Sequence, residues 1–356
     1  MGDYPSRSDS AFAGGTGVTG RHARSAGTGV SPSSYQEPPI GGGGALPKKA
    51  RFSMESGFRG LSVAAGAMVL VIIVAIAIFL ISKAAPAIGD DKENFLTFKQ
   101  WFPNETQPRF GIAALAFGTV LTSVIALIVA VPIALGIALF LSHYAPKRLA
   151  TPLGFVIDLL AAVPSVVFGL WGRDVFMEPV RDFSAWLNKY FSWIPIFGGD
   201  GPFGRSILLG SLVLAIMVLP IVTSLSREVF QQTPGMNEEA ALALGATKWE
   251  MVRTAVLPYG KPGVIAAVML GLGRALGETI ALALTLGVVF NISFNIIQNG
   301  GNSIAANIAN AFGEANETGR GALIASGLVL FAITLVVNMA ARAIIYRRRE
   351  FRDSAA

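Results

Sequence analysis
The 356-residue chain contains no cysteine. Disulfides, thiolate metal sites and a cysteine nucleophile are therefore excluded, while the compartment is left open. Histidine is nearly as scarce: His22 lies in a low-complexity stretch and His143 in a short loop, so a histidine-based metal site has nothing to build on. No G-x-x-x-x-G-K-[ST] run occurs, so nucleotide phosphates cannot be cradled by that route. No nucleophile–base pair suggests itself either, and no catalytic residue is assigned. Charge is sparse, with 14% charged residues against 53% hydrophobic ones. The net charge of +6 would suit nucleic acid. The basic residues, however, cluster beside apolar runs, where the orientation signal of membrane proteins accounts for them. The short alternating segments of a transmembrane barrel are missing as well.

What is present is a series of apolar runs about 20 residues long or more, the mark of an all-α integral membrane protein held among lipid. Six transmembrane helices are expected, at about 61–82, 111–141, 153–171, 206–225, 262–290 and 322–346. Residues 1–50, rich in Gly, Ser and Pro, read as a disordered tail, and 51–356 as the polytopic domain. The tail is no secretory signal, because the first apolar run comes late and is too long. Six spans put both termini on one side. Basic residues on that side, such as Lys48, Arg59, Lys147, Arg227, Lys261 and Arg347, outnumber those opposite about two to one, which makes both termini cytoplasmic. The opposite loops hold Asp90, Asp91, Glu93, Asp174 and Glu178 among their acids. Pro132 suits a tilt or kink in the long second span. At Val163-Pro164-Ser165 the third span is interrupted, either as a packing kink or to free carbonyls for a cavity. Residues 172–204, with Trp186 and Trp193, suggest a segment lying on the membrane surface. Ile304, Ala305, Ile308 and Phe312 are spaced as the apolar face of a short helix.

Residues 231–258 form a cytoplasmic loop too long and too well punctuated to be slack. Asn237 reads as an N-cap with Glu238 and Glu239 in the first turn. Gly245 ends that helix, and Thr247 with Glu250 three residues on opens a second as a capping box. Leu257-Pro258 is expected to stop it. Leu242, Leu244, Trp249, Met251 and Val252 offer apolar contacts to a partner. The next span carries Arg274 about 18 Å from its start, close to the middle of the hydrocarbon. Arg274 and Glu278 are four apart, and the same face continues to Ala281 and Thr285. Two readings stand. One is a wet path on which the arginine meets an anion by paired hydrogen bonds; the other is an intrahelical ion pair. Beside them Gly273 and Gly277 form a G-x-x-x-G that permits close helix approach.

Glu239-Ala240-Ala241, Gly245 and Leu257-Pro258 together resemble the EAA loop of ABC-importer permeases. Residues 162–172 (AVPSVVFGLWG) and 271–279 (GLGRALGET) are most similar to the phosphate-specific branch of that family, PstC-type. The resemblance covers roughly 60 to 346. It implies a bacterial plasma-membrane importer subunit, with no cofactor of its own. Its implied partners are an A-type permease subunit, a cytoplasmic ATPase dimer that binds ATP-Mg, and an external phosphate-binding protein. Glu239, Ala240, Ala241, Gly245, Leu257 and Pro258 would couple to the ATPase, and Arg274, Glu278 and Thr285 would line the path of phosphate. A permease for sulfate or molybdate, or a membrane enzyme acting on lipid phosphates, is the alternative.

Overall fold
The computed structural model describes residues 54–199 and 201–353; the predicted tail, residues 1 to 50, lies outside the described residues. From Leu61 onward the chain forms one compact unit. Among the described residues five helices are long and apolar enough to cross a membrane, and a sixth crossing is made if one sharply bent helix pair counts as a span.

Helix α1 (Met54–Asp90) is followed by a small hairpin, β1 (Trp101–Phe102) and β2 (Arg109–Phe110), with Trp101 opposite Phe110. Asp91 Oδ1 accepts from the Phe110 amide and ties the hairpin to the end of α1. Helix α2 (Ala113–Leu139) continues into a π turn at Phe140–Tyr144, so His143 stands in this turn and not in a loop. Its polar residues Thr119, Thr122 and Ser123 are buried and donate to carbonyls of their own helix, which satisfies them without water.

Helix α6 (Ile207–Gln231) is the central post, with 72% of its most apolar window buried, against none of that of α1. Ser206 caps it by accepting from the Leu209 amide. Along α2 the residues Ala126, Ala130, Ala134 and Ala138 are all completely buried. The first three lie against Leu214, Ala215, Val218 and Val222 of α6. Lipid tails are as apolar as these side chains, so the pair is held by close contact of small residues rather than by a hydrophobic gradient.

The predicted third span is not continuous. Helix α3 (Lys147–Ala161) ends before Pro164, and α4 (Ser165–Trp171) leads through a π turn (Gly172–Phe176) into α5 (Met177–Phe191), with a bend of 89° between the two halves. Proline drives its predecessor out of the helical region, and Pro164 itself starts the new helix with ψ 138°. The interruption is thus a break and not a slight kink. Beyond it α4 packs close to a second half-helix, α10 (Ile280–Thr285). A side chain at Gly169 would come within 2.8 Å of the Ala281 Cα. The segment expected on the membrane surface is α5, which buries Val180 and Ser184 and exposes Phe183, Trp186 and Tyr190.

The fifth span also differs from expectation. Helix α9 (Leu257–Gly277) stops at Glu278, α10 comes next, and the chain from Leu286 to Ser303 is irregular. Helix α11 (Ile304–Ala311) begins at a Ser303 cap. It buries Ile304 to Asn307 and leaves Phe312 half-exposed, so Phe312 is not part of the predicted apolar face. The long α12 (Glu317–Asp353) closes the chain.

Candidate functional site
The platform between α6 and α9 is built of two short helices. Helix α7 (Gly235–Ala243) starts after Pro234, whose fixed φ leads the chain into the first turn; Asn237, expected as N-cap, lies inside it. At its other end Gly245 has φ +87°, its amide donates to the Leu242 carbonyl and the Ala246 amide to that of Ala241. That is a Schellman closure, and the left-handed residue in it favours glycine. Helix α8 (Lys248–Met251) opens with the predicted capping box: the Glu250 amide donates to Thr247 Oγ1 and the Thr247 amide to Glu250 Oε2.

Leu257-Pro258 does not stop this helix. A π turn at Val252–Val256, closed by the Leu257 amide on the Val252 carbonyl, carries α8 directly into α9. The wider turn makes room for the proline ring, and the missing Pro258 amide falls where the π turn passes into α9. The outcome is one helical run from Lys248 to Gly277. Ala240, Ala241 and Pro258 line one hollow of about 520 Å³ together with Leu244 and Tyr259. Glu239 and Gly245 are exposed outside that lining and Leu257 is half-buried. Leu242, Leu244 and Trp249 are exposed as a docking surface needs, whereas Met251 and Val252 are buried in a core shared with Ala138 of α2 and Phe230 of α6. Helical periodicity could not show that this core existed.

Arg274 sits on the last turn of α9 and lines a cavity of about 1170 Å³ between α1, α6, α9 and α12. Its Nε is buried without a hydrogen-bond partner. Asn338 and Arg342 of α12 line the same cavity; neither was read as a site residue from the sequence, because each lies more than 60 residues from Arg274 and only the fold brings them together. Glu278 does not share a helical face with Arg274. Its backbone is extended (φ −68°, ψ 127°), and its Oε1 accepts from the Ala281 amide at 3.1 Å, capping α10. Among the described residues Arg274 makes no ion pair, so the neutralised-pair reading fails. Thr285 is buried against Gly172, in the π turn after α4, and gives its hydroxyl to the Ala281 carbonyl. The stripe from Arg274 through Ala281 to Thr285 is broken at the joint. Gly273 and Gly277 have open space where a side chain would stand, so they bring no helix close among the described residues.

Residues 119–350 match the family model described as binding-protein-dependent transport system inner membrane component. The chain is 47% identical over 292 residues to the phosphate transport system permease protein PstC 2 of Mycobacterium tuberculosis, covering 81% of this chain and 90% of that one. It is 40% identical to the phosphate transport system permease protein PstC of Xylella fastidiosa, over 82% of this chain and 90% of the other. Among solved structures, a chain of a bacterial ABC transporter involved in the import of the acidic polysaccharide alginate aligns with a TM-score of 0.47 and 15% identity, over 83% of this chain and 99% of its own.

Proposed function
Since the chain belongs to the family of binding-protein-dependent transport system inner membrane components, we propose that it is the permease subunit of an ATP-driven importer that carries inorganic phosphate into the cytoplasm. It is a multi-pass membrane transport protein and not an enzyme. The observation that carries the reading is the unbroken helical run from Lys248 to Gly277. One end is a capped platform with exposed Leu244 and Trp249. The other holds Arg274 in a large cavity. Force applied to the platform therefore reaches the arginine without crossing a loop.

Phosphate is chosen as cargo because the relatives in Mycobacterium and Xylella are named for phosphate transport. A guanidinium suits it, since the planar fork donates two parallel hydrogen bonds to oxyanion oxygens. Glu239, Ala240, Ala241, Gly245, Leu257 and Pro258 would form or shape the ATPase contact, with ATP-Mg bound by that partner. Arg274 would meet the anion, and Glu278 and Thr285 would hold the α9–α10 joint beside the path. An A-type permease subunit would complete the membrane portion, and an external phosphate-binding protein would deliver the cargo. Both termini would be cytoplasmic in the plasma membrane.

The decisive measurement is uptake of labelled phosphate in cells lacking only this chain, with the chain then restored. Restoration should return uptake, and excess sulfate or molybdate should leave it unchanged. Uptake that competes equally with sulfate would reassign the cargo, and no difference between the two strains would remove the transport role.

A further inference from the structure
The π turn that ends α2 touches both arms of the platform. His143 Nε2 lies 3.2 Å from Glu238 Oε1, in the first turn of α7 and 95 residues away in sequence. The Lys248 ammonium, at the start of α8, stands 6.0 Å from the centre of the Tyr144 ring. The histidine is well enclosed, with its side chain 9% exposed, and Glu238 is 26% exposed. A carboxylate only accepts, so His143 Nε2 must donate to it. The ring cannot drift, because Ser142 Oγ holds Nδ1 at 2.7 Å.

The π turn is what aims these side chains. One extra residue in a turn rotates the residues beyond it by about 100° relative to an uninterrupted α-helix. The Ala145 amide closes the turn on the Phe140 carbonyl. Apolar packing supports the polar contact, since Ala138 shares a buried cluster with Phe230, Met251, Val252 and Val256. At its far end α2 is fastened too: Thr119 Oγ1 accepts from the Ile304 amide at 2.9 Å, and so fixes the first turn of α11. With its π turn α2 runs 32 residues, or about 48 Å at the helical rise.

We infer that the His143–Glu238 contact, held by Ser142 and backed by Tyr144 on Lys248, is a latch through which α2 moves with the coupling platform, making His143 a positioning residue for transport. A displacement of α7 pulls on the end of α2, and the helix, continuous through Pro132, carries it to the opposite side at Ile304. The Lys248–Gly277 run then moves Arg274 in the same stroke. The latch rests on the transport role proposed for the chain.

The test uses the whole transporter in vesicles, with phosphate moved and ATP hydrolysed measured together. His143→Leu and Glu238→Leu should each lower the phosphate carried per ATP by about tenfold, the lower end for a hydrogen bond to a charged group. Combining them should cost no more than either alone, because both remove the same contact. His143→Gln, which keeps a donor, should retain most of the coupling. In every variant the amount of chain in the membrane and the ATPase co-purifying with it should match wild type. Wild-type coupling in the leucine variants, additive losses, no rescue by glutamine, or loss of the bound ATPase would each overturn the latch. Wild-type vesicles that hydrolyse ATP but carry no phosphate would instead bring down the transport reading.

Discussion
Arg274 presents five donors on a planar head, and the one nitrogen that is sealed from solvent has no hydrogen-bond partner. Leaving such a group without an acceptor is costly; in the proposed transport role the head's other nitrogens, which are not sealed, would meet the oxyanion. Arg274→Gln should therefore lower phosphate uptake by about 10- to 100-fold, the range for a hydrogen bond to a charged group. Arg274→Lys keeps the charge but loses the fork, and it should fall between the two. Labelled-phosphate uptake at matched membrane levels measures both, and uptake by the glutamine variant equal to wild type would detach this side chain from the path. At this scale the sequence picked out Arg274 as a charge within an apolar run. Its distance from Glu278 was misjudged, because an i,i+4 spacing has meaning only where the helix is continuous.

The platform is decided at the level of the element. The start of its second helix was legible to the residue, because Thr247 and Glu250 form a capping box whose chemistry is wholly local. The start of the first was not: Asn237 is as good a cap as any, yet Pro234 sets the helix two residues after Thr233 turns away from α6. Gly245 was read correctly, and its backbone explains why. No atom lies within 4 Å of a side chain built there, so a substitution suffers only from the left-handed φ. Gly245→Val should cost about 1–2 kcal/mol locally and unwind the closure between α7 and α8. Gly245→Asn, which visits that region readily, should cost less. Phosphate carried per ATP should follow the order Gly, Asn, Val. Equal coupling in all three would show that the closure plays no part in transmission.

Taken whole, the molecule shows how far apolar runs can be trusted. They located α1, α2, α6 and α12 well, because in those helices the apolar run and the helix coincide. They failed at the third and fifth spans. Pro164 and the Glu278–Thr279 joint interrupt the backbone there without lowering the apolarity of the stretch, so length alone concealed two half-helices facing each other across Gly169 and Ala281. The cavity that gathers Arg274, Asn338 and Arg342 and the contact between His143 and Glu238 are long-range facts, invisible to any local pattern. Orientation can be checked directly, because the chain is free of cysteine. A lone cysteine at Trp193, 77% exposed, should react with an impermeant maleimide in intact cells. One at Lys147 should react only after the membrane is opened. The reverse pattern would invert the topology.

The row of alanines on α2 carries a consequence for movement. The buried row itself presents only single methyl groups to the valines and leucines opposite, while Leu127 and Val129 of the same helix pack beside it. Sliding lengthwise requires no side chain of the row to swing out of the way, since alanine has no rotamers to exchange. Any lengthwise shift of α2 on the post behind it is therefore resisted at the flanking leucine and valine and at its fastened ends, not along the row.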